Sequence, residues 1–475
     1  MQATMRRSAF GNIVARSGSL LLALMNTMVL ARVLSPSDFG IVALSTMLSG
    51  FFSILGTAGL TVAVVQIRDL DQGAVRDLFT LSILLASLCG GCFLVGAGII
   101  AVNMQDAIYF RVGLLASATL ILSIVNAIPA GLVLKKGRLY AVGRRQLIGT
   151  IAGVALGIGG AFLGVGLYSL LFLALSTSLV VFVSNWREVR VMPSWPVRRE
   201  SVSRIAGFAS FDYGSSVVRY LSRNIDGFLV GIWMGPSRLG VYNQALTLTN
   251  YPVNNTSFVL NGILHPILSR KQDSPREVYD SYVGVVRLLS ILGIFVSAVG
   301  FLGGREIVLL ILGDQWLGAV APFQILSLSI WFQMCVVTAG PVYQSLGATR
   351  PMFVSGSVIG VIAVGCAIVG AMSGEVTVLA WAVLVSVAFK WICDYAILVK
   401  FGFGSSVVDF FRLFIRHAGV AAIVFGLGWF VRGLLYELSP FWTLVIETVV
   451  VCAATLGGSI VVGEWRKVMR TVRGR

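Results

Sequence analysis

Long apolar runs recur along the whole chain, broken only by short connections rich in Arg, Lys, Gly and Pro. A helix needs about 20 largely apolar residues to cross a bilayer. Runs of that length are read near 11–33, 39–65, 78–102, 110–133, 146–166, 168–186, 206–234, 239–264, 284–303, 319–345, 352–373, 376–399, 413–431 and 441–463. The pattern predicts an all-α integral membrane protein of about 14 transmembrane helices, with no room for a sizeable domain outside the bilayer. Composition agrees, since 57% of the residues are hydrophobic and 12% charged, whereas soluble domains carry about 25% charged residues. A soluble enzyme is excluded. Arg6 and Arg7 precede the first run as in a signal peptide, but Arg16 interrupts that run and Ala31-Arg32-Val33 is a poor cleavage site, so the first helix is expected to be retained.

The net charge of +16 would suggest a nucleic-acid surface in a soluble chain. Threaded through the spans, however, the basic residues fall mostly on one side. That side holds both termini and the loops bearing Arg68/Arg76, Lys135/Lys136/Arg138/Arg144/Arg145, Arg187/Arg190/Arg198/Arg199/Arg204, Arg270/Lys271/Arg276, Arg350 and Lys400/Arg412/Arg416. The opposite side keeps Arg32, Arg111, Arg238, Arg305 and Arg432. Positive loops stay inside, so both termini are expected in the cytoplasm and no nucleic-acid partner is implied. All six cysteines lie in apolar runs and the chain has two histidines. No metal or cofactor site is therefore expected, and Cys89-Gly-Gly-Cys92 reads as helix-packing residues.

An internal repeat supports two halves. Pro36-Ser37-Asp38-Phe39-Gly40 follows the first span, and Pro236-Ser237-Arg238-Leu239-Gly240 follows the seventh, at an offset of 200. An even number of spans separates the copies, so the halves share one orientation, a parallel repeat. The expected organisation is an N-terminal six-helix lobe (1–186), a basic linker (187–205), a second six-helix lobe (206–400), and two further helices with a basic tail (401–475).

Several spans carry polar stripes. Asp212, Arg219, Arg223 and Asp226 share one face of the seventh helix; Asn243, Asn250, Asn254 and Asn261 recur along the eighth, where Pro252 introduces a kink; Asn12, Arg16, Ser19 and Asn26 line the first. Each charge costs about 2.5–3.5 kcal/mol at the bilayer centre, so these faces must meet protein or water. They predict a hydrated cavity between the two lobes. The competing reading is purely structural: Arg223 pairs with Asp226 and Arg219 with Asp212. Arg16, Arg287 and Lys390 lie nearer span ends, where snorkelling competes with substrate contact, and Lys390 is one turn from Asp394.

Phe10-Gly11-Asn12, the Ala31-Arg32-Val33-Leu34-Ser35-Pro36-Ser37-Asp38-Phe39-Gly40 turn, Gly56-Thr57-Ala58-Gly59-Leu60 before Val65-Gln66, and Leu312-Gly313-Asp314-Gln315-Trp316 together resemble Wzx-type oligosaccharide flippases. These form the polysaccharide transporter family of the multidrug/oligosaccharidyl-lipid/polysaccharide superfamily. The resemblance implies movement of a polyprenyl-diphosphate-linked oligosaccharide across the bacterial inner membrane by alternating access, for exopolysaccharide, capsule or O-antigen synthesis. A polysaccharide polymerase and a chain-length regulator are the further partners it suggests, besides membrane lipids. Within it, Arg16, Arg219, Arg223, Arg287 and Lys390 are the candidates for the diphosphate, because guanidinium holds phosphate oxygens in a fork. The asparagines suit sugar hydroxyls, and Asp212 and Asp226 are candidates for ion coupling. A cation-coupled drug exporter of the same superfamily is the main alternative. A membrane glycosyltransferase or polymerase is a lesser one, since no acid/base cluster on a large outward loop is evident.

Overall fold

The structure, a computed structural model, describes residues 2–57, 59–67, 70–198, 216–218, 220–269, 275–435 and 438–465. Among them every regular element is helical. In chain order these are α1 (Gln2–Val33), α2 (Pro36–Thr57), α3 (Leu60–Gln66), α4 (Gln72–Asn103), α5 (Ile108–Val125), α6 (Ala127–Lys135), α7 (Leu139–Phe162) and α8 (Ser169–Val189). Then come α9 (220–233), α10 (Pro236–Ser269), α11 (Pro275–Leu302), α12 (Gly304–Ile311), α13 (Val320–Val336), α14 (Ala339–Ser345), α15 (Thr349–Met372), α16 (Val376–Ile397), α17 (Val407–Leu434) and α18 (Pro440–Val461). Among the described residues eleven helical stretches are long and apolar enough to cross a membrane. The expected count of about 14 includes three more, α1, α9 and α10.

Some expected spans are broken helices. The 110–133 run splits at Asn126 into α5 and α6, the 319–345 run into α13 and α14, and the 39–65 run at Gly59. The cause is local. Pro129 and Pro341 each sit in the first turn of the shorter helix, where a missing N–H is tolerated, and Gly59 adopts φ 77°. Beside the first break Thr61 Oγ1 donates to the Ala127 carbonyl at 3.1 Å, which ties α3 to α6. The expected kink at Pro252 is not a break, since α10 runs through it.

The chain forms two compact units, one of residues 1–231 and 235–240 and the other of 232–234 and 241–475. In the first, α4 packs Ala86, Cys89 and Phe93 against Ala116, Leu120 and Ile124 of α5. The segment after α8 is pinned to α4: Ser194 Oγ donates to Asp77 at 2.7 Å, and Arg198 Nε donates to the same buried carboxylate at 2.8 Å. Arg198 also reaches Asp71, the N-cap of α4, and this hydrogen bond holds the Asp71 carboxyl below its ordinary range. Because the folded value is depressed, the contribution is present above the unfolded carboxylate value and is lost as pH falls through the folded one. In the second unit, α17 and α18 are not appended. Phe410 and Phe414 of α17 join Tyr282 of α11 and Tyr395 of α16 in one buried aromatic cluster, and Val420 and Val424 meet Val451 and Ala454 of α18 around Ile294 and Ala298.

The repeated turn has a specific geometry. At the start of α2, Ser35 and Asp38 form a reciprocal capping box: Asp38 accepts from Ser35 N at 2.9 Å, and Asp38 N donates to Ser35 Oγ at 3.2 Å. Pro36 occupies the first helical position. Within the first unit, the backbone of this turn meets that of its repeat. A Cβ on Gly40 would overlap the Pro236 carbonyl, and one on Gly240 would overlap the Pro36 carbonyl. The relation is reciprocal, and only hydrogen fits at either place. Gly40→Ala or Gly240→Ala is expected to lower the melting temperature of the purified protein in detergent, by an overpacking cost of about 1–3 kcal/mol. Gly91→Ala, where a Cβ meets nothing within 4 Å, should leave it unchanged.

Candidate functional site

In the first unit, α9 lies against α2. Gly227 faces the Met47 side chain and Gly231 faces Leu44, while Tyr220 donates to the Met47 carbonyl at 2.6 Å. At the rim of this packed face Arg223 is exposed and Asp226 is half-buried. Arg223 stands about 15 Å along the axis from the α9 terminus at 233. Among the described residues no carboxylate lies within ion-pair distance of Arg223. The Arg223–Asp226 pair of the competing structural reading is thus absent among the described residues, although the two are one turn apart. Asp226 has a partner of its own. Arg219 and Asp212 lie outside the described residues.

On α1, Arg16 is exposed and engaged in a further polar contact. Asn26 is buried, and its Oδ1 faces Gly157 of α7 without a hydrogen bond. The side chain of Asn12 lies outside the described residues. A buried network occupies one end of this unit: Arg145 donates to Asn185 and Glu188, Asn185 Nδ2 donates to Asn126 at 3.0 Å, and Arg138 approaches Glu188 at 3.1 Å. By sequence Arg145 falls in a loop between spans, as a charge that sets topology. It is instead a buried cation that ties α7 to α8 beside the α5/α6 break.

In the second unit, Asn243 and Asn250 are half-buried and Asn254 is exposed on α10, while the Asn261 side chain lies outside the described residues. Lys390 is exposed on α16 and engaged in a further contact. Asp394 is buried and accepts from Ser355 Oγ. Arg287 has a structural role that the sequence did not disclose. Its Nη1 lies 2.9 Å from Glu464, and Arg416 of α17 approaches the other oxygen of the same carboxylate at 3.2 Å. Glu464 is fully buried just beyond α18. It joins α11, α17 and the end of α18. Only its isolation in a basic tail could have signalled this, and the partners are too distant in sequence to pair by spacing. Among the described residues no three His, Cys, Asp or Glu are grouped to hold a metal ion.

The helices and the broken spans define an all-α, multi-span membrane protein. The chain belongs to the polysaccharide biosynthesis protein family, whose model matches residues 29–321. It is 22% identical over 402 residues to the succinoglycan biosynthesis transport protein ExoT of Rhizobium meliloti, covering 82% of this chain and 80% of the relative. It is 21% identical over 321 residues to the lipopolysaccharide biosynthesis protein WzxC of Escherichia coli, covering 64% and 62%. Among solved structures, the lipid II flippase MurJ superposes with a TM-score of 0.70 at 12% identity, covering 96% of this chain and 99% of that one. An inward-facing multidrug resistance transporter of the MATE family gives 0.59 at 13% identity, covering 84% and 94%. These likenesses show a shared fold.

Removing one partner of a buried ion pair typically costs about 3–5 kcal/mol, because a charge is left uncompensated. Glu464→Gln, which strands Arg287, is therefore expected to lower thermal stability sharply. Arg412→Ala, which breaks an exposed pair with Asp409, should change it by at most about 1 kcal/mol. Thermal unfolding of the two purified variants measures the contrast.

Proposed function

We propose that this protein is a flippase that moves a polyprenyl-diphosphate-linked oligosaccharide from the cytoplasmic to the outer leaflet of a bacterial inner membrane, by alternating access and with both termini cytoplasmic. The observation that carries this reading is Arg223: an exposed guanidinium on α9 with no carboxylate partner among the described residues. Lipid cannot solvate such a group, so the surface it occupies meets water or an anionic ligand. A diphosphate is such a ligand, and guanidinium binds its oxygens two at a time.

Support also comes from the relatives, whose names place them in succinoglycan and lipopolysaccharide biosynthesis, and from family membership. In this reading Arg16, Arg219, Arg223 and Lys390 contact the diphosphate, and Asn243, Asn250 and Asn254 meet sugar hydroxyls. The prenyl chain stays in lipid. Asp212 and Asp226 are the acids for ion coupling. Arg287 contributes through Glu464, by fixing the helices around it. The MATE-like fold would also suit a cation exporter, but organic cations favour carboxylates and aromatics over an unmatched arginine.

Arg223→Ala is expected to abolish polysaccharide export while the protein stays in the membrane at normal abundance, and Arg223→Lys to preserve part of it because the fork is lost. Because Arg223 and Asp226 are not paired, Arg223→Ala/Asp226→Ala should remain defective. Normal export by Arg223→Ala, or full recovery in the double variant, would remove Arg223 from the binding surface.

A further inference from the structure

A second cluster of charge is built into the second unit at the end of α17 opposite Arg416. Arg432 forks onto Glu306 of α12, with Nη2 3.2 Å from Oε1 and Nη1 3.3 Å from Oε2. The same Nη1 donates to Glu447 Oε1 of α18 at 3.3 Å. Two carboxylates thus share one guanidinium. Glu447 is 1% exposed and Glu306 8%, so water does little to spread the surplus charge.

The two acids are not equivalent. Both oxygens of Glu306 are held by the fork, which is the stronger arrangement. Glu447 offers only Oε1 to Arg432, and its Oε2 is buried with no hydrogen-bond partner. That oxygen points to the α11/α12 junction, where Gly303 leaves room: a Cβ there would stand 3.3 Å from it. An ionised carboxylate oxygen buried without a donor carries a large desolvation cost, whereas a protonated one does not.

The other charged groups on the packed elements do not supply the missing counter-charge. On α12 the neighbour Arg305 is exposed. On α17, Arg416 pairs with Glu464, Arg412 with Asp409, and His417 is buried beside Leu413, all at the far end of the helix. On α11, Arg287 pairs with Glu464, and Asp280 is exposed near the same end. The side chains of Arg276 and Glu277, and residue Glu437, lie outside the described residues.

We propose that Glu447 is a proton-binding site of this protein: Oε2 carries the proton, and Arg432 remains forked on Glu306. A proton fits better than a metal cation, because a sodium-sized ion needs several oxygen ligands and no acidic group of three surrounds the site among the described residues. Uptake leaves a neutral cluster clasping α12, α17 and α18. Release leaves one uncompensated negative charge among them, which weakens that clasp. The site is distinct from Asp212 and Asp226, and its assignment does not depend on the cargo.

Infrared pH-difference spectra of the purified full-length protein in lipid nanodiscs test it. A protonated-carboxyl stretch that shifts in D2O should be present at neutral pH, and one component of it should vanish in Glu447→Gln. That variant mimics the neutral form, so its abundance and melting temperature should match those of the parent. Glu306→Gln, which breaks the fork, should lower both. The proposal is overturned by identical spectra for the parent and Glu447→Gln, by a Glu447→Gln variant as unstable as Glu306→Gln, or by a carboxyl band that responds to sodium chloride at fixed pH.

Discussion

Hydrocarbon does not solvate an ionised side chain, and the arrangement of charge in this protein follows from that constraint. Several buried charges meet opposite charges on other elements of the fold. Glu464 neutralises Arg287 and Arg416, Glu188 takes Arg145 and Arg138, and Arg432 is shared by Glu306 and Glu447. Two of the clusters reach across 177 and 126 residues of sequence, so the ion pairs that satisfy electrostatics also fix topology. In the second unit they act at both ends of one helix. α17 is fastened through Arg416 at one end and Arg432 at the other, about 24 Å apart at 1.5 Å per residue, with Phe410, Phe414, Val420 and Val424 packed along it.

Against that background an unmatched charge is informative. Arg223 stands on a helix whose glycines let it lie close to α2, yet its guanidinium meets no carboxylate among the described residues. A structural role would have matched it, as Arg287 and Arg432 are matched. The same criterion applied to acids singles out Glu447, whose second oxygen has no donor. Both groups are costly as built unless something outside the chain, an anion in one case and a proton in the other, completes them.

The spans were legible because a bilayer crossing demands a minimum length of apolar residues, and that length is written directly in the sequence. The breaks at Asn126 and before Ala339 were not. Pro129 and Pro341 are tolerated at helix starts and also inside a kinked helix, so a proline alone does not say whether a span continues or a new helix begins. The repeat at Pro36 and Pro236 was visible as turn chemistry, but not the reason for its glycines, which lies in a backbone approach across 200 residues. The buried arginines posed the same problem. A sequence shows that Arg287 needs a partner, and the nearest acids along a helix are the natural candidates. The actual partner, Glu464, lies beyond the last span. For Arg223 and Asp226 the one-turn spacing left a salt bridge open as the alternative to substrate contact, and the described residues do not form it.

The central claim is that the unmatched intramembrane cation serves a lipid-linked diphosphate. Reconstitution of the purified chain into liposomes tests it most directly, by following a fluorescent polyprenyl-diphosphate oligosaccharide from one leaflet to the other through quenching by a membrane-impermeant reductant. The account predicts that the protein accelerates this transfer and that soluble diphosphate competes with it. Leaflet transfer at the protein-free rate, together with accumulation of a fluorescent organic cation in the same vesicles, would contradict it.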